Sequence, residues 1–177
     1  MPLLEIVTRH LPSRVEALAA NQASLQALKG DWVQTLLVDE ERRGVSWANR
    51  RLAMFEPVGK YVWILDDDDL AVYPDLVVDL RRLTLDGHQD MIMVQIDHCL
   101  LGTLPDASLW GRTPQEGHIS SSSAIVRREH WIACRGAWTD RYAGDYDFMA
   151  EAYARAWRRV WHPVIACHIP HVSQGAA

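Results

Sequence analysis

The sequence predicts an α/β fold, a single domain over residues 1–177 built around a mainly parallel central sheet. Three observations lead there. Short apolar runs alternate with helix-patterned segments as far as Leu83, which is how parallel strands joined by crossover helices look in sequence. The length, 177 residues, suits one hydrophobic core and leaves no room for a second. The balance of 49% hydrophobic and 23% charged residues is that of an ordinary globular chain.

Leu3 to Thr8 forms the first expected strand. Val15, Leu18, Gln22, Leu25 and Leu28 then share one helical face, and Gly30 ends that helix. Val33 to Val38 is the second strand, and Val45, Ala48, Leu52 and Phe55 mark a second amphipathic helix closed by Pro57 and Gly59. Tyr61 to Leu65 is a third, mostly apolar strand of the kind buried on both faces. A helix opens at Pro74 and Asp75 and runs through Leu83, and Met91 to Ile96 supplies another strand. Beyond it, Gly102 to Gly117 is rich in glycine, proline and polar residues and predicts a long loop. A strand near His118 to Val126, a helix from Asp145 with Tyr146, Met149, Ala150, Tyr153 and Trp157 on its pattern, and a last strand over Val164 to His168 complete the expectation. Trp32, Trp63 and Trp157 lie in apolar patterns and are assigned to the core.

The net charge of −5, from 18 basic and 23 acidic residues, argues against a nucleic-acid partner, because phosphate backbones are bound by basic surfaces. Cys99, Cys134 and Cys167 have no paired spacing, so neither a disulfide framework nor a zinc site is expected. No transmembrane segment and no signal-like N-terminus is visible, and a cytoplasmic protein is expected.

The chemistry concentrates at Asp66-Asp67-Asp68-Asp69, directly after the third strand and so at the carboxyl edge of the sheet, where such folds bind ligands. Adjacent carboxylates repel one another and rise in pKa unless a cation compensates them. A divalent metal is the economical compensation, and hard oxygen ligands favour Mn2+ or Mg2+. A solvated acidic turn is the plain alternative.

Ile64-Leu65-Asp66-Asp67-Asp68-Asp69-Leu70 with Tyr73-Pro74-Asp75 resembles the Asp-x-Asp segment and following helix of family-2 glycosyltransferases. Val38-Asp39-Glu40 with Gly44, Ala48 and Asn49 is similar to that family's second strand and its Gly…Ala-x-Asn stretch. Ser120 to Ser123 with Ala124 to Arg128 is similar to the strand before the acceptor site. Gly136-Ala137-Trp138 and Gly144-Asp145-Tyr146-Asp147 resemble the Gly-Gly-Phe and Glu-Asp-Tyr-Asp stretches, with Gly144 in place of the usual Glu.

The resemblance implies a Rossmann-like GT-A domain and a metal-dependent sugar transfer. The donor would be a nucleotide-diphosphate sugar, a UDP-sugar before others, and the acceptor a glycan or other hydroxyl. Asp66 and Asp68 would hold the metal, Asp66 and Asp67 would meet the donor, and Asp39 would meet its base. His171, with His168 beside it, would supply a third metal ligand. Asp145 would be the catalytic base of an inverting displacement, and Asp147 is the second candidate. From the residues alone, an N-cap is the preferred reading of Asp145. Thr8 and Arg9 close the first strand where a donor phosphate would lie, and Trp110 and Trp138 are placed to stack on an acceptor sugar.

A haloacid-dehalogenase-type phosphatase also runs a strand into Asp-x-Asp, but it needs a downstream lysine and none follows Lys60. A nucleotidyltransferase usually carries a glycine-rich loop after the first strand, which Thr8 to Pro12 lacks. A nucleotide-sugar or metal-binding module without turnover is the non-enzymatic alternative.

Overall fold

As far as Leu83 the chain folds much as its periodicity demands. The computed structural model describes residues 1–85 and 89–170. It opens with β1 (Leu4–His10), α1 (Val15–Leu25), β2 (Trp32–Val38), α2 (Val45–Ala53), β3 (Tyr61–Ile64), β4 (Leu70–Ala71) and α3 (Leu76–Leu83). The remainder comprises β5 (Met91–His98), β6 (Gly102–Leu104), β7 (Ala124–Arg127), α4 (Arg128–Cys134), α5 (Gly144–Arg155) and β8 (Arg159–Ile169). The strands form one sheet in the order β2-β1-β3-β7-β5-β8-β4, with β6 attached to β5. β2, β1, β3, β5 and β8 run one way and β7, β4 and β6 the other, so the sheet is mixed and mainly parallel.

Side chains alternate between the two faces of each strand, and the core divides accordingly. Tyr61 and Trp63 point to the face covered by α1 and α3, with Leu4, Ile6, Leu25, Leu76 and Leu80. Val62 and Ile64 point to the other, with Leu52, Trp131, Phe148 and Met149 from α2, α4 and α5. Each of the large fully buried side chains contributes about 1.5–3 kcal/mol by leaving water.

The second half departs from expectation at several places. Of His118 to Val126 only the end is strand, because Ser120 to Ser123 bond to one another instead. Ser120 Oγ accepts from the Ser122 N–H and Ser123 Oγ from the Ser120 N–H, a local alternative to sheet pairing. The long loop begins as a strand, since Gly102–Leu104 pairs with β5. The helix predicted to reach Trp157 stops at Arg155. The backbone N–H groups of Trp157 and Arg158 both donate to Asp90 Oδ2, which leads the chain into β8, and Trp157 is 90% exposed rather than core. Trp63 is fully buried and Trp32 packs partly buried against the core. β4 and α4 are additions that periodicity did not announce.

Candidate active site

Leu65 is fully buried, and the four carboxylates follow it into a turn between β3 and β4. Each has a side-chain partner, and Asp67 and Asp68 share one in Arg14. Arg9, near the end of β1, grips Asp66 bidentately, Nε to Oδ1 at 2.6 Å and Nη2 to Oδ2 at 2.5 Å. Asp67 is 1% exposed and accepts from the Leu11 N–H at 3.0 Å and from Arg14 Nη1 at 3.1 Å, with His10 Nδ1 at 2.8 Å. Arg14 Nη1 also donates to Asp68 Oδ2 at 2.9 Å. Asp69 points inward and accepts from Ser122 Oγ at 3.4 Å.

The backbone of the turn is fixed from α1. Asn21 Nδ2 donates to the carbonyls of Asp66 at 3.0 Å and Asp69 at 2.8 Å. Its own Oδ1 accepts from Gln34 Nε2 on β2, which also donates to Thr8 Oγ1, both at 2.9 Å. Asn21 is fully buried, and sequence reasoning missed it along with Arg14 and Ser122. The one available hint was an amide side chain at a helix position that faces a core.

Five carboxylates, Asp66 to Asp69 and Asp145, share this edge with Arg9 and Arg14, so negative charge is in excess. Burial lifts the proton affinity of Asp68, and Asp66 and Asp67 add to it against Arg14. Asp69 rises further, from burial and then from Asp66 and Asp68. Burial also raises Asp145, which Arg9 opposes and Asp66 reinforces. Burial disfavours the Arg9 charge, yet Asp66, Asp145 and Asp69 outweigh it and hold its proton firmly. These mutual effects put Asp145, Arg9 and Asp66 in one electrostatic neighbourhood.

Asp145 sits in the first turn of α5 rather than at its N-cap, which is Ala143, and Asp145 Oδ1 accepts from the Tyr146 N–H at 2.8 Å. That geometry corrects the capping alternative. Gly144 leaves room for Asn49: a Cβ there would collide with Asn49 Nδ2 and the Thr139 carbonyl. Asn49 Nδ2 uses the space to donate to the carbonyls of Thr139 and Arg141, which ties α2 to the approach to α5. Asp147 points elsewhere. It pairs with Arg141 and accepts from Thr139 Oγ1, and Arg141 reaches on to Glu116 of the long loop at 2.9 Å. The Arg141 hydrogen bond holds Asp147 below the usual carboxylate range.

The other predicted site residues are scattered. Asp39 accepts from the Gly44 N–H at 2.9 Å, and although burial works to raise it, the N–H groups of Arg43 and Gly44 hold it low. Thr8 is fully buried with its hydroxyl on Gln34, so its side chain does not face a ligand. Trp138 is 6% exposed and stacks on Phe148 at 4.8 Å, which makes it core and not an exposed sugar platform. Trp110 stands edge-on to Trp161 at 4.8 Å. His168 lies beside Leu70 in the β4–β8 pairing, with Nδ1 2.9 Å from Asp97 Oδ2, and His171 falls outside the described residues.

Among the described residues, no three His, Cys, Asp or Glu side chains converge on a common metal position. Asp66 and Asp68 nonetheless fit the demand of Mn2+ or Mg2+ in a nucleotide site, where one or two carboxylates, substrate phosphates and waters complete the shell. The excess negative charge of the turn is the feature that a cation would relieve.

The sequence matches no family model and no curated protein. Solved structures do match. S. aureus TarS (residues 1–349) in complex with UDP superposes with a TM-score of 0.73 at 13% identity, over 93% of this chain and 59% of that one. Mannosyltransferase PcManGT from Pyrobaculum calidifontis, in complex with GDP-Man and Mn2+, gives 0.65 at 13% identity over 98% and 58%. The glycosyltransferase GlyE in Streptococcus pneumoniae TIGR4, in its apo form, gives 0.56 at 12% identity over 88% and 44%. The chain therefore has the fold that these glycosyltransferases share, and it spans less than two thirds of the length of each.

Proposed function

We propose that this chain transfers a sugar from a nucleoside-diphosphate sugar to an acceptor hydroxyl, with inversion at the anomeric carbon. The observation that carries the reading is Asp145: a half-buried carboxylate with raised proton affinity, lying in the same field as Arg9 and Asp66 at the carboxyl edge of the sheet. A base works best when its pKa moves toward the working pH, and burial moves Asp145 that way. Asp145 would take the proton of the acceptor hydroxyl as its oxygen attacks the anomeric carbon. The bond to the nucleoside diphosphate breaks on the opposite side and the diphosphate leaves with the electron pair. Asp66 and Asp68 would hold Mn2+ or Mg2+, which supplies charge stabilisation to the departing diphosphate. Asp39 and Asp67 are assigned to the donor, and UDP is the nucleotide favoured. His168, whose Nδ1 is oriented by Asp97, is the described histidine suited to a metal. The fold likeness to proteins holding UDP, and GDP-Man with Mn2+, supports the donor class.

Asp145→Asn is the test. It keeps size and hydrogen bonding but removes the proton acceptor, so turnover should fall about 100-fold or more while nucleoside-diphosphate binding in Mn2+ is retained. Full transfer activity in this variant would move the base to Asp147. Donor binding without any release of nucleoside diphosphate by the parent protein would instead leave a binding module.

A further inference from the structure

At the end of the sheet opposite the aspartate turn, five strand ends come into register. Leu4 at the start of β1 lies beside Tyr61, Tyr61 opposes Arg127, and Met91 lies between Val126 and Arg159. At about 4.8 Å per strand this row is roughly 20 Å long. Val58, Lys60, Arg128, Trp157 and Arg158 stand just outside it in sequence, and Arg81 and Leu85 line one cavity with Lys60.

The apolar members of this edge are turned to solvent: Trp157 is 90% exposed, Leu85 73% and Val58 57%. Around them stand the cations Lys60, Arg81, Arg128 and Arg158, in a chain whose net charge is −5. Arg128 Nε is buried with no hydrogen-bond partner among the described residues, a donor without an acceptor. Among those residues the edge also carries Asp31, and Asp90 and Glu129, both paired with Arg127. The carboxyl edge has the reverse character, so the sheet separates an acidic end from a basic, apolar one.

We propose that this basic edge seats the protein on an anionic membrane surface, with Trp157, Leu85 and Val58 entering the headgroup layer. Tryptophan suits that layer because its ring is apolar and its N–H is polar, and Lys60, Arg81 and Arg158 would lie over lipid phosphates. A symmetric pair of chains on the same edge would set these cations against their own copies, so a membrane is the better occupant. The aspartate turn then faces away from the bilayer. The inference does not depend on the proposed reaction.

Co-sedimentation with vesicles tests it, using equal parts phosphatidylcholine and phosphatidylglycerol against phosphatidylcholine alone. The protein should pellet with the mixed vesicles and be released as salt is raised, since screening weakens surface attraction. The triple variant Lys60→Gln, Arg81→Gln, Arg158→Gln should partition about 100-fold more weakly, at about fivefold per cation. Trp157→Ser, at an exposed position where folding is unaffected, should weaken partitioning and remove a blue shift of tryptophan emission on the vesicles. Equal partition onto phosphatidylcholine alone, or undiminished binding by the triple variant, would overturn the proposal. So would self-association of the parent chain in ultracentrifugation that Trp157→Ser abolishes, which would give the face to a second copy.

Discussion

The aspartate turn and the first turn of α5 carry the same side chain and treat it in opposite ways. In the turn, Asp66, Asp67 and Asp68 each meet an arginine, and Asn21 pins the backbone at both ends. In α5, the hydrogen bond to the Asp145 side chain among the described residues comes from the Tyr146 N–H, while Asp147 is absorbed into an exposed network with Arg141 and Glu116. Two residues along a helix are enough to separate the two outcomes, because the side chains project about 200° apart. Arg141 and Thr139 hold Asp147 below the usual carboxylate range, whereas desolvation raises Asp145, which has few partners. That property, not the motif letters, separates Asp145 from Asp147.

Three substitutions sharpen this contrast beyond Asp145→Asn. The largest effect is expected at Trp138, which stacks on Phe148 of α5 and packs against Trp131 of α4. Trp138→Ala should cost about 3–5 kcal/mol in denaturant unfolding, as large core truncations do. Stability within about 1 kcal/mol of the parent would return Trp138 to the acceptor site and leave α5 positioned by something else. Next is Asn21→Ala, which takes the Asn21 amide donor from the Asp69 carbonyl and leaves the Asp66 carbonyl only the Asp69 N–H. A loss of about 1–3 kcal/mol is expected for buried groups left unpaired. An unfolding midpoint that does not move would mean that the arginines alone define the turn. The smallest effect belongs to Arg141→Gln. Exposed ion pairs contribute little, so thermal unfolding should be unchanged while the Asp147 pKa climbs back toward its ordinary value. A stable Arg141→Gln protein that has lost sugar transfer would erase the distinction between the two aspartates.

Apart from the two-residue β4, the strands and helices up to Leu83 were legible because each apolar run there is long enough to show its period. The aspartate run was legible for a related reason: four like charges directly after a buried strand need an explanation. Its partners were not. Arg9 lies 57 positions from Asp66, and Asn21 lies 48 from Asp69, and no local pattern links residues that far apart. Trp157 was misplaced because the apolar spacing of α5 continues past the point where Asp90 captures the chain. Trp138 looked available because a tryptophan next to glycine and polar residues resembles a surface aromatic, and the Phe148 ring that covers it comes from α5. The short α4 was hidden by the strand that runs directly into it.

The hydrogen bonds from Asn21 to the aspartate turn have a thermodynamic consequence for any ligand that arrives there. Ordering a flexible backbone takes about 1–2 kcal/mol per residue, and a loop that closes over its ligand incurs that loss at the moment of binding. Here the loss is already settled when the domain folds, because both ends of the turn hang from a buried amide on α1. Association at this edge should therefore proceed without a slow ordering phase, and the heat released on binding should not be cancelled by a large opposing entropy.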